Sequence, residues 1–242
     1  MITIHENQLI YSIMVVVAFL AGTGTVCLMN YKRGVPGVAI TVLAIISILL
    51  GVCFGFIFEL LTTKELKGIS SLGGLIGIYF SVFLTAWYTK TQIFRRIMFE
   101  NCTLVLPLMY AVSKIGCLFA GCCRGFHYHG KFCIQYINIL NETAEPVFPA
   151  QILESLMFFI IFVIGILVFQ KQPDKTPFAI YMISALSKLW MGFLRLTYET
   201  QGLTASQLMC GMMIVTGCIW YLFETEKQEI DEMARISKKD NS

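Results

Sequence analysis

Lys114-Ile115-Gly116-Cys117-Leu118-Phe119-Ala120-Gly121-Cys122-Cys123-Arg124-Gly125 closes a long apolar run with a cation, three cysteines and three glycines. A lysine held in a bilayer costs about 2.5–3.5 kcal/mol, so Lys114 is expected to face a polar partner or a charged substrate. Lys114, Cys117 and Gly121 are three and seven residues apart and share one helical face. Lys188 and Arg195 share a face in a later apolar run, with Ser184 one turn before them. Gln151 and Glu154 are three apart in another run, and Gln207 opens the last one. Three cations against one nearby carboxylate leave positive charge that a phosphate would neutralise. One reading is therefore a polar cavity, open to the outer leaflet, that attracts an anionic lipid headgroup. The other is internal satisfaction, with Glu154 pairing one cation and carbonyls or water taking the rest.

The cysteines admit four chemistries. Cys117, Cys122, Cys123 and Cys133, with His127 and His129, are zinc-ligand types. Their order, Cys-x4-Cys-Cys-x3-His-x-His-x3-Cys, matches no standard structural zinc pattern. A disulfide from Cys122 or Cys123 to Cys133 suits an oxidising exterior. Lys114 or Arg124 could lower the pKa of a reactive thiolate. Plain packing as small apolar residues is the fourth reading. The sequence does not choose among them, and neither a metal nor another cofactor is expected. Gly73-Gly74-Leu75-Ile76-Gly77 holds a Gly-x-x-x-Gly spacing that lets helices approach closely. Tyr11, near the outer end of the first apolar run, reads as an interfacial anchor or a donor to a headgroup.

These residues need a scaffold, and the composition says which kind. Of 242 residues, 57% are hydrophobic and 14% charged, more apolar surface than a soluble domain of this length can hide. The uncharged runs are each near the ~20 residues that cross a bilayer as a helix. They predict an all-α integral membrane protein of about seven transmembrane helices, near 9–29, 36–58, 69–89, 100–123, 149–169, 177–198 and 204–223. The first residues lack a basic segment, so the first run is expected to be a retained helix, not a cleaved signal. Lys32 and Arg33, then Lys90, Arg95 and Arg96, then Lys171 and Lys175, and finally Lys227, Arg235, Lys238 and Lys239 follow alternate runs. The intervening loops carry mainly Lys64, Lys67, Arg124 and Lys131. This bias places the N-terminus outside and the C-terminus in the cytoplasm. Residues 1–225 are thus read as one transmembrane domain and 226–242 as a charged cytoplasmic tail. An outer loop near 124–148 carries His127, His129, Cys133, Asn141, Glu142 and Glu145, and its length points to function. Neither a repeat nor a nucleic-acid motif is recognisable.

With these residues in view, most of the chain resembles the prolipoprotein diacylglyceryl transferases. Tyr11-Ser12 is similar to that family's Tyr-Gly in span one, and Lys32-Arg33-x-Val35 lies where a basic cluster closes it. Leu72-Gly73-Gly74-Leu75-Ile76-Gly77 resembles His-Gly-Gly-Leu/Met-Ile-Gly. The stretch from Lys114 to Gly125 resembles Arg-Ile-Gly-Asn-Phe-x-Asn-Gly-Glu-x-x-Gly. Phe148-Pro149-Ala150-Gln151-Ile152-Leu153-Glu154 resembles His-Pro-Ser-Gln-Leu-Tyr-Glu. Lys188-Leu189-Trp190-Met191-Gly192-Phe193-Leu194-Arg195 resembles Arg-Phe-x-x-Glu-Phe-x-Arg, and Gly202-Leu203-Thr204-x-Ser206-Gln207 resembles the opening of the last span. Each motif is degenerate; their order and spacing are the specific signal.

The resemblance implies a multi-pass plasma-membrane enzyme that moves a diacylglyceryl group from phosphatidylglycerol to a prolipoprotein cysteine. Phospholipid and polypeptide are the implied partners, and no nucleic acid is. Lys114, Glu154, Lys188, Arg195, Cys122 and Cys123 become the candidate catalytic residues. Tyr11, Gly73, Gly74, Cys117, Gly121, Gln151 and Gln207 become the candidate headgroup contacts. The departures fall among the chemical groups. Leu72 stands for the His, Lys114 and Lys188 for two Arg, Cys117 and Ala120 for two Asn, and Cys122 and Gly192 for two Glu. Charge survives at Lys114 and Lys188, but the two-pronged guanidinium grip does not. A related lipid-modifying enzyme with another acceptor, a non-catalytic lipid-binding protein and a thiol-redox membrane protein on the same scaffold remain as alternatives.

Overall fold

The computed structural model describes residues 2–64, 69–89, 91–138, 142–173, 175–195, 204 and 206–218. Among them the chain forms helices α1 (Gln8–Lys32), α2 (Gly37–Thr63), α3 (Ser71–Thr89), α4 (Gln92–Ala120), α5 (Ala150–Phe169) and α6 (Thr176–Phe193), and then α7 (Ser206–Cys218). Each follows an expected apolar run. Helices α1, α2, α4 and α5 are long and apolar enough to cross a membrane. Residues 196–203, the end of the last run and the tail 226–242 lie outside the described residues, as do Lys67 and Asn141.

Local chemistry sets the ends. The Asn7 side chain accepts the Leu9 and Ile10 N–H groups and caps α1. Pro36, Pro149 and Pro177 stand at the starts of α2, α5 and α6, where a missing N–H costs little. Gly121, at φ +65°, ends α4 in the left-handed conformation that glycine adopts without penalty. Helix α4 contains Pro107 yet continues through it, and it begins at Gln92, eight residues before the expected start.

That early start has a cause. Glu100 and Asn101 are buried in α4 and would be unaffordable in lipid alone. Arg33 meets them from the end of α1, with Nη2 2.7 Å from Glu100 Oε2 and Nη1 3.1 Å from Asn101 Oδ1. Arg96 Nε reaches the other Glu100 oxygen at 2.7 Å, and Asn101 donates to Asn30 at 2.7 Å. Arg33, read as a topology signal, is thus also a structural cation.

Helix α4 is the central post, packed against α1, α3, α5 and α6. Val26, Leu43, Ile78, Val82, Met98 and Val105 form the main core between α1, α2, α3 and α4. Large side chains such as Leu20, Leu49, Phe83 and Ile164 point outward, as lipid-facing residues do. Gly73 and Gly77 let α3 lie on α2: a Cβ at either would overlap a backbone carbonyl, of Phe54 or of Leu50.

The fold is mostly helical, as expected, and two short strands accompany the helices. Strands β1 (Ile2–His5) and β2 (Ile134–Ile137) pair in parallel, Ile2 opposite Ile134 and His5 opposite Ile137. Val147 bridges to Ile134 in the antiparallel sense. Ile134, Tyr136 and Val147 form a small core with Ile4 and Leu118, so the loop after α4 and the first residues make one cap over the end of α4.

Candidate functional site

Glu154 sits in the first turns of α5, 1% exposed. Its carboxylate receives Lys114 Nζ from α4 at 3.1 Å and Arg195 Nη2 at 2.9 Å from each oxygen. Tyr110 Oη donates to Oε1 at 2.5 Å. The Tyr110 ring also faces two cations, with Lys188 Nζ 3.9 Å and Lys114 Nζ 4.9 Å from its centre. One carboxylate and one aromatic face therefore organise three cations in a buried space. Glu154 thus pairs two cations, not one, while Lys188 lies over the Tyr110 ring. Arg195 Nε is buried with no hydrogen-bond partner among the described residues.

Lys114, Lys188 and Arg195 line a cavity of about 640 Å³. Its polar end also holds Tyr11, Ser113, Cys117, Cys122, Cys123 and Thr204, while Val15, Phe19, Leu75, Ile78, Leu106 and Met109 line its apolar part. This size is that of a ligand pocket. A cationic end joined to an apolar wall matches a molecule with an anionic head and a greasy tail.

The chain turns sharply at the polar end. After Gly121, Cys123 also takes a left-handed backbone, φ +55°, which costs a non-glycine residue roughly 1–2 kcal/mol. The turn carries Cys122 and Cys123 back beside Cys117, and the three Sγ atoms lie within 4.8 Å of one another. All nine cysteines are free, so the disulfide to Cys133, one of the four readings, is not formed. Cys133 is instead buried beside β2 in the cap. The six-residue ligand set read from the sequence divides likewise. Cys117, Cys122 and Cys123 gather, whereas His127 pairs with Glu145 at 3.1 Å and His129 is exposed.

The cap holds this turn in place. Arg124 donates through Nε to the Gly121 carbonyl at 2.7 Å and pairs with Glu6 through Nη2. Gln151 Nε2 donates to the Cys122 carbonyl at 2.8 Å and to Tyr136 Oη at 3.0 Å. Burial pushes the Tyr136 phenol up to about 12 against the opposing pull of Arg124, so it stays neutral at physiological pH. Gly125 bridges to Arg195 in the antiparallel sense, and Phe126 N–H donates to the Leu194 carbonyl at 3.1 Å. The loop thereby fixes where α6 ends and where Arg195 points.

Of the candidates, Tyr11, Gly74, Lys114, Cys117, Cys122, Cys123, Lys188 and Arg195 line the cavity. Tyr11 Oη donates to the Ile69 carbonyl at 3.3 Å. The other five are not among its lining residues. Glu154 lies behind its cations. Gly73 faces α2, because a helix crossing there leaves no room for a side chain. Gly121 packs against Glu6. Gln151 supports the cysteine turn from beneath, and Gln207 Oε1 accepts from Thr204 N and Oγ1 at 2.9 and 3.1 Å. Sequence reasoning missed Tyr110, although it stands four residues before Lys114 on the same helical face. It also missed Glu6, Tyr136 and the cavity-lining Glu59.

Comparison with known proteins gives this arrangement its family. The family model described as prolipoprotein diacylglyceryl transferase matches residues 2–223. The chain belongs to that family. It is 25% identical over 219 residues to a phosphatidylglycerol–prolipoprotein diacylglyceryl transferase of Dehalococcoides mccartyi, covering 82% of each chain. Gly192, where the resemblance expects a Glu, leaves space that the Gln207 side chain fills.

Proposed function

We propose that the protein transfers a diacylglyceryl group from phosphatidylglycerol to the cysteine thiol of a prolipoprotein. The observation that carries this reading is the shared cavity of Lys114, Lys188 and Arg195, with its apolar wall. At this end of the cavity three cations outnumber Glu154, and a phosphodiester is the kind of anion they hold. As the carbon–oxygen bond to phosphate breaks, charge grows on the leaving glycerol phosphate, and fixed cations in a dry site stabilise it. Arg195 Nε is an available donor for that group. Glu154 and Tyr110 serve as positioning residues that hold the cations. Tyr11, Gly74 and Cys117 border the headgroup. Gln151, Gly121, Gly73 and Gln207 support the walls from behind, and Cys122 and Cys123 line the cavity with the cations.

Seven spans in the plasma membrane, with the N-terminus outside and the C-terminus cytoplasmic, put this end of the cavity at the outer leaflet. Residues 1–225 then form the transferase domain, 124–148 the acceptor-facing cap and 226–242 a cytoplasmic tail. Mass spectrometry of a lipobox peptide incubated with purified protein and phosphatidylglycerol tests the reading. A diacylglyceryl mass increment on the peptide cysteine supports it. No increment, beside an active relative as control, leaves a scaffold that binds lipid without turning it over.

A further inference from the structure

The three gathered thiols are not explained by a phosphate-binding cavity. Cys117 ends a helical turn of α4, and Cys122 and Cys123 return to it only through two left-handed residues, Gly121 and Cys123. Arg124, Gln151 and Glu6 brace that turn. Such outlay of strain and bracing is common where a backbone positions chemistry. Simple apolar filling does not need it.

Three sulfurs about 2.3 Å from one zinc ion in a plane stand about 4 Å from each other. The observed separations, all within 4.8 Å, are near that spacing. The charge also fits. A divalent ion with three thiolates has a net charge of minus one. Lys114 and Arg195 line the same cavity as the three thiols. A negatively charged metal–thiolate unit is therefore compatible with the cations that line this cavity.

We infer that Cys117, Cys122 and Cys123 form a tris-thiolate zinc site whose remaining position, facing the cavity, takes the acceptor cysteine thiol. The inference rests on the proposed transferase reading and supplies the step it lacks. Transfer to a thiol needs a thiolate, and a free thiol at neutral pH is only a small fraction ionised. Glu154 cannot readily provide the base, since both its oxygens are occupied by Lys114, Arg195 and Tyr110. A thiol bound to zinc loses its proton outright. Its sulfur pair then forms a carbon–sulfur bond at the glyceryl carbon that bears the phosphate. The carbon–oxygen bond breaks, and its electron pair leaves on glycerol phosphate. The proton from the thiol balances the added charge on that phosphate, and nothing is oxidised or reduced.

The test uses the full chain purified in detergent, exposed to zinc and dialysed. About one zinc per chain is expected. Cys117→Ser, Cys122→Ser and Cys123→Ser should each lose it, and Cys133→Ser, in the cap, should keep it; circular dichroism verifies that all four are folded. Cobalt-loaded protein should show thiolate charge-transfer and tetrahedral ligand-field bands. A lipobox peptide should change the ligand-field bands, and the same peptide with its cysteine replaced by serine should not. Chelating the wild-type metal should slow transfer from phosphatidylglycerol to the peptide roughly 100-fold, reversibly with zinc. The inference is overturned by absent or substoichiometric zinc, by stoichiometric copper instead, by a disulfide within the trio, or by cobalt bands indifferent to the peptide thiol. Full transfer by metal-free protein overturns it while leaving the transferase reading intact. Zinc bound and cobalt responsive, with no transfer from phosphatidylglycerol, upholds the thiol site and overturns the proposed function instead.

Discussion

Arg195 Nη2 lies 2.9 Å from both carboxylate oxygens of Glu154. Lys114 Nζ approaches one of the same oxygens at 3.1 Å, in a space where Glu154 is 1% exposed. The carboxylate is therefore the counter-ion on which the cation field is built. Removing one partner of a buried pair strands the other, at about 3–5 kcal/mol. Glu154→Gln is expected to lower stability by that amount, read as thermal unfolding in detergent. Phosphatidylglycerol should restore more of the loss than phosphatidylcholine, because a net negative lipid supplies the missing charge. A melting curve unchanged by the substitution would show that Glu154 is not the organising anion.

Tyr110 does two jobs that a conservative substitution separates. Its hydroxyl bonds Glu154 at 2.5 Å, and its ring faces Lys188 Nζ at 3.9 Å. Tyr110→Phe keeps the ring and loses a hydrogen bond to a charged group, worth about 1.5–3 kcal/mol. Tyr110→Leu loses both. Stability should fall for each, and binding of phosphatidylglycerol should fall further for Leu than for Phe. Equal lipid affinity in the two variants would remove the ring from the site.

Much of this architecture is legible in the sequence because the bilayer constrains it so tightly. Apolar runs gave the helices, since every backbone polar group in lipid must be satisfied within its own segment. Lys114, Lys188 and Arg195 stood out because cations in such runs are costly. The cap was not legible. Ile2–His5 and Ile134–Ile137 are two four-residue strands far apart in sequence, too short for alternation to mark either. The gathering of Cys117 with Cys122 and Cys123 depends on the left-handed backbone at Cys123, which its residue type disfavours. The expected fourth span begins at residue 100, and the contact of Glu100 with Arg33 from α1 shows how a carboxylate is held inside α4.

Lys188 separates lipid binding from folding. Its ammonium faces the Tyr110 ring and the cavity, and it is not among the ion-pair partners of Glu154 given by Lys114 and Arg195. Lys188→Ala should therefore weaken phosphatidylglycerol binding about 10–100-fold, the worth of one charge-assisted hydrogen bond. The melting temperature should hold or rise, since a buried like charge beside Lys114 is removed. Native mass spectrometry with graded lipid measures the first and thermal unfolding the second. Undiminished binding would mean that the phosphate does not reach this end of the cavity.

Gly125 tests whether the cap positions the site from a distance. It does not line the cavity, yet a Cβ there would overlap the backbone carbonyl of Phe148. Backbone cannot rotate away as a side chain can, so Gly125→Ala must displace either the Gly125–Arg195 bridge or the Phe126–Phe148 pairing. The cost should be about 1–3 kcal/mol, as for other overpacked positions. Lipid affinity should fall with it, because Arg195 moves with the end of α6. Gly24 in α1 is the matched control: a Cβ there meets nothing within 4 Å. Gly24→Ala should leave binding unchanged and raise stability by up to about 1 kcal/mol through helix propensity. If Gly125→Ala lowers stability while full phosphatidylglycerol affinity persists, the cap is a structural lid over α4 and does not set the position of Arg195.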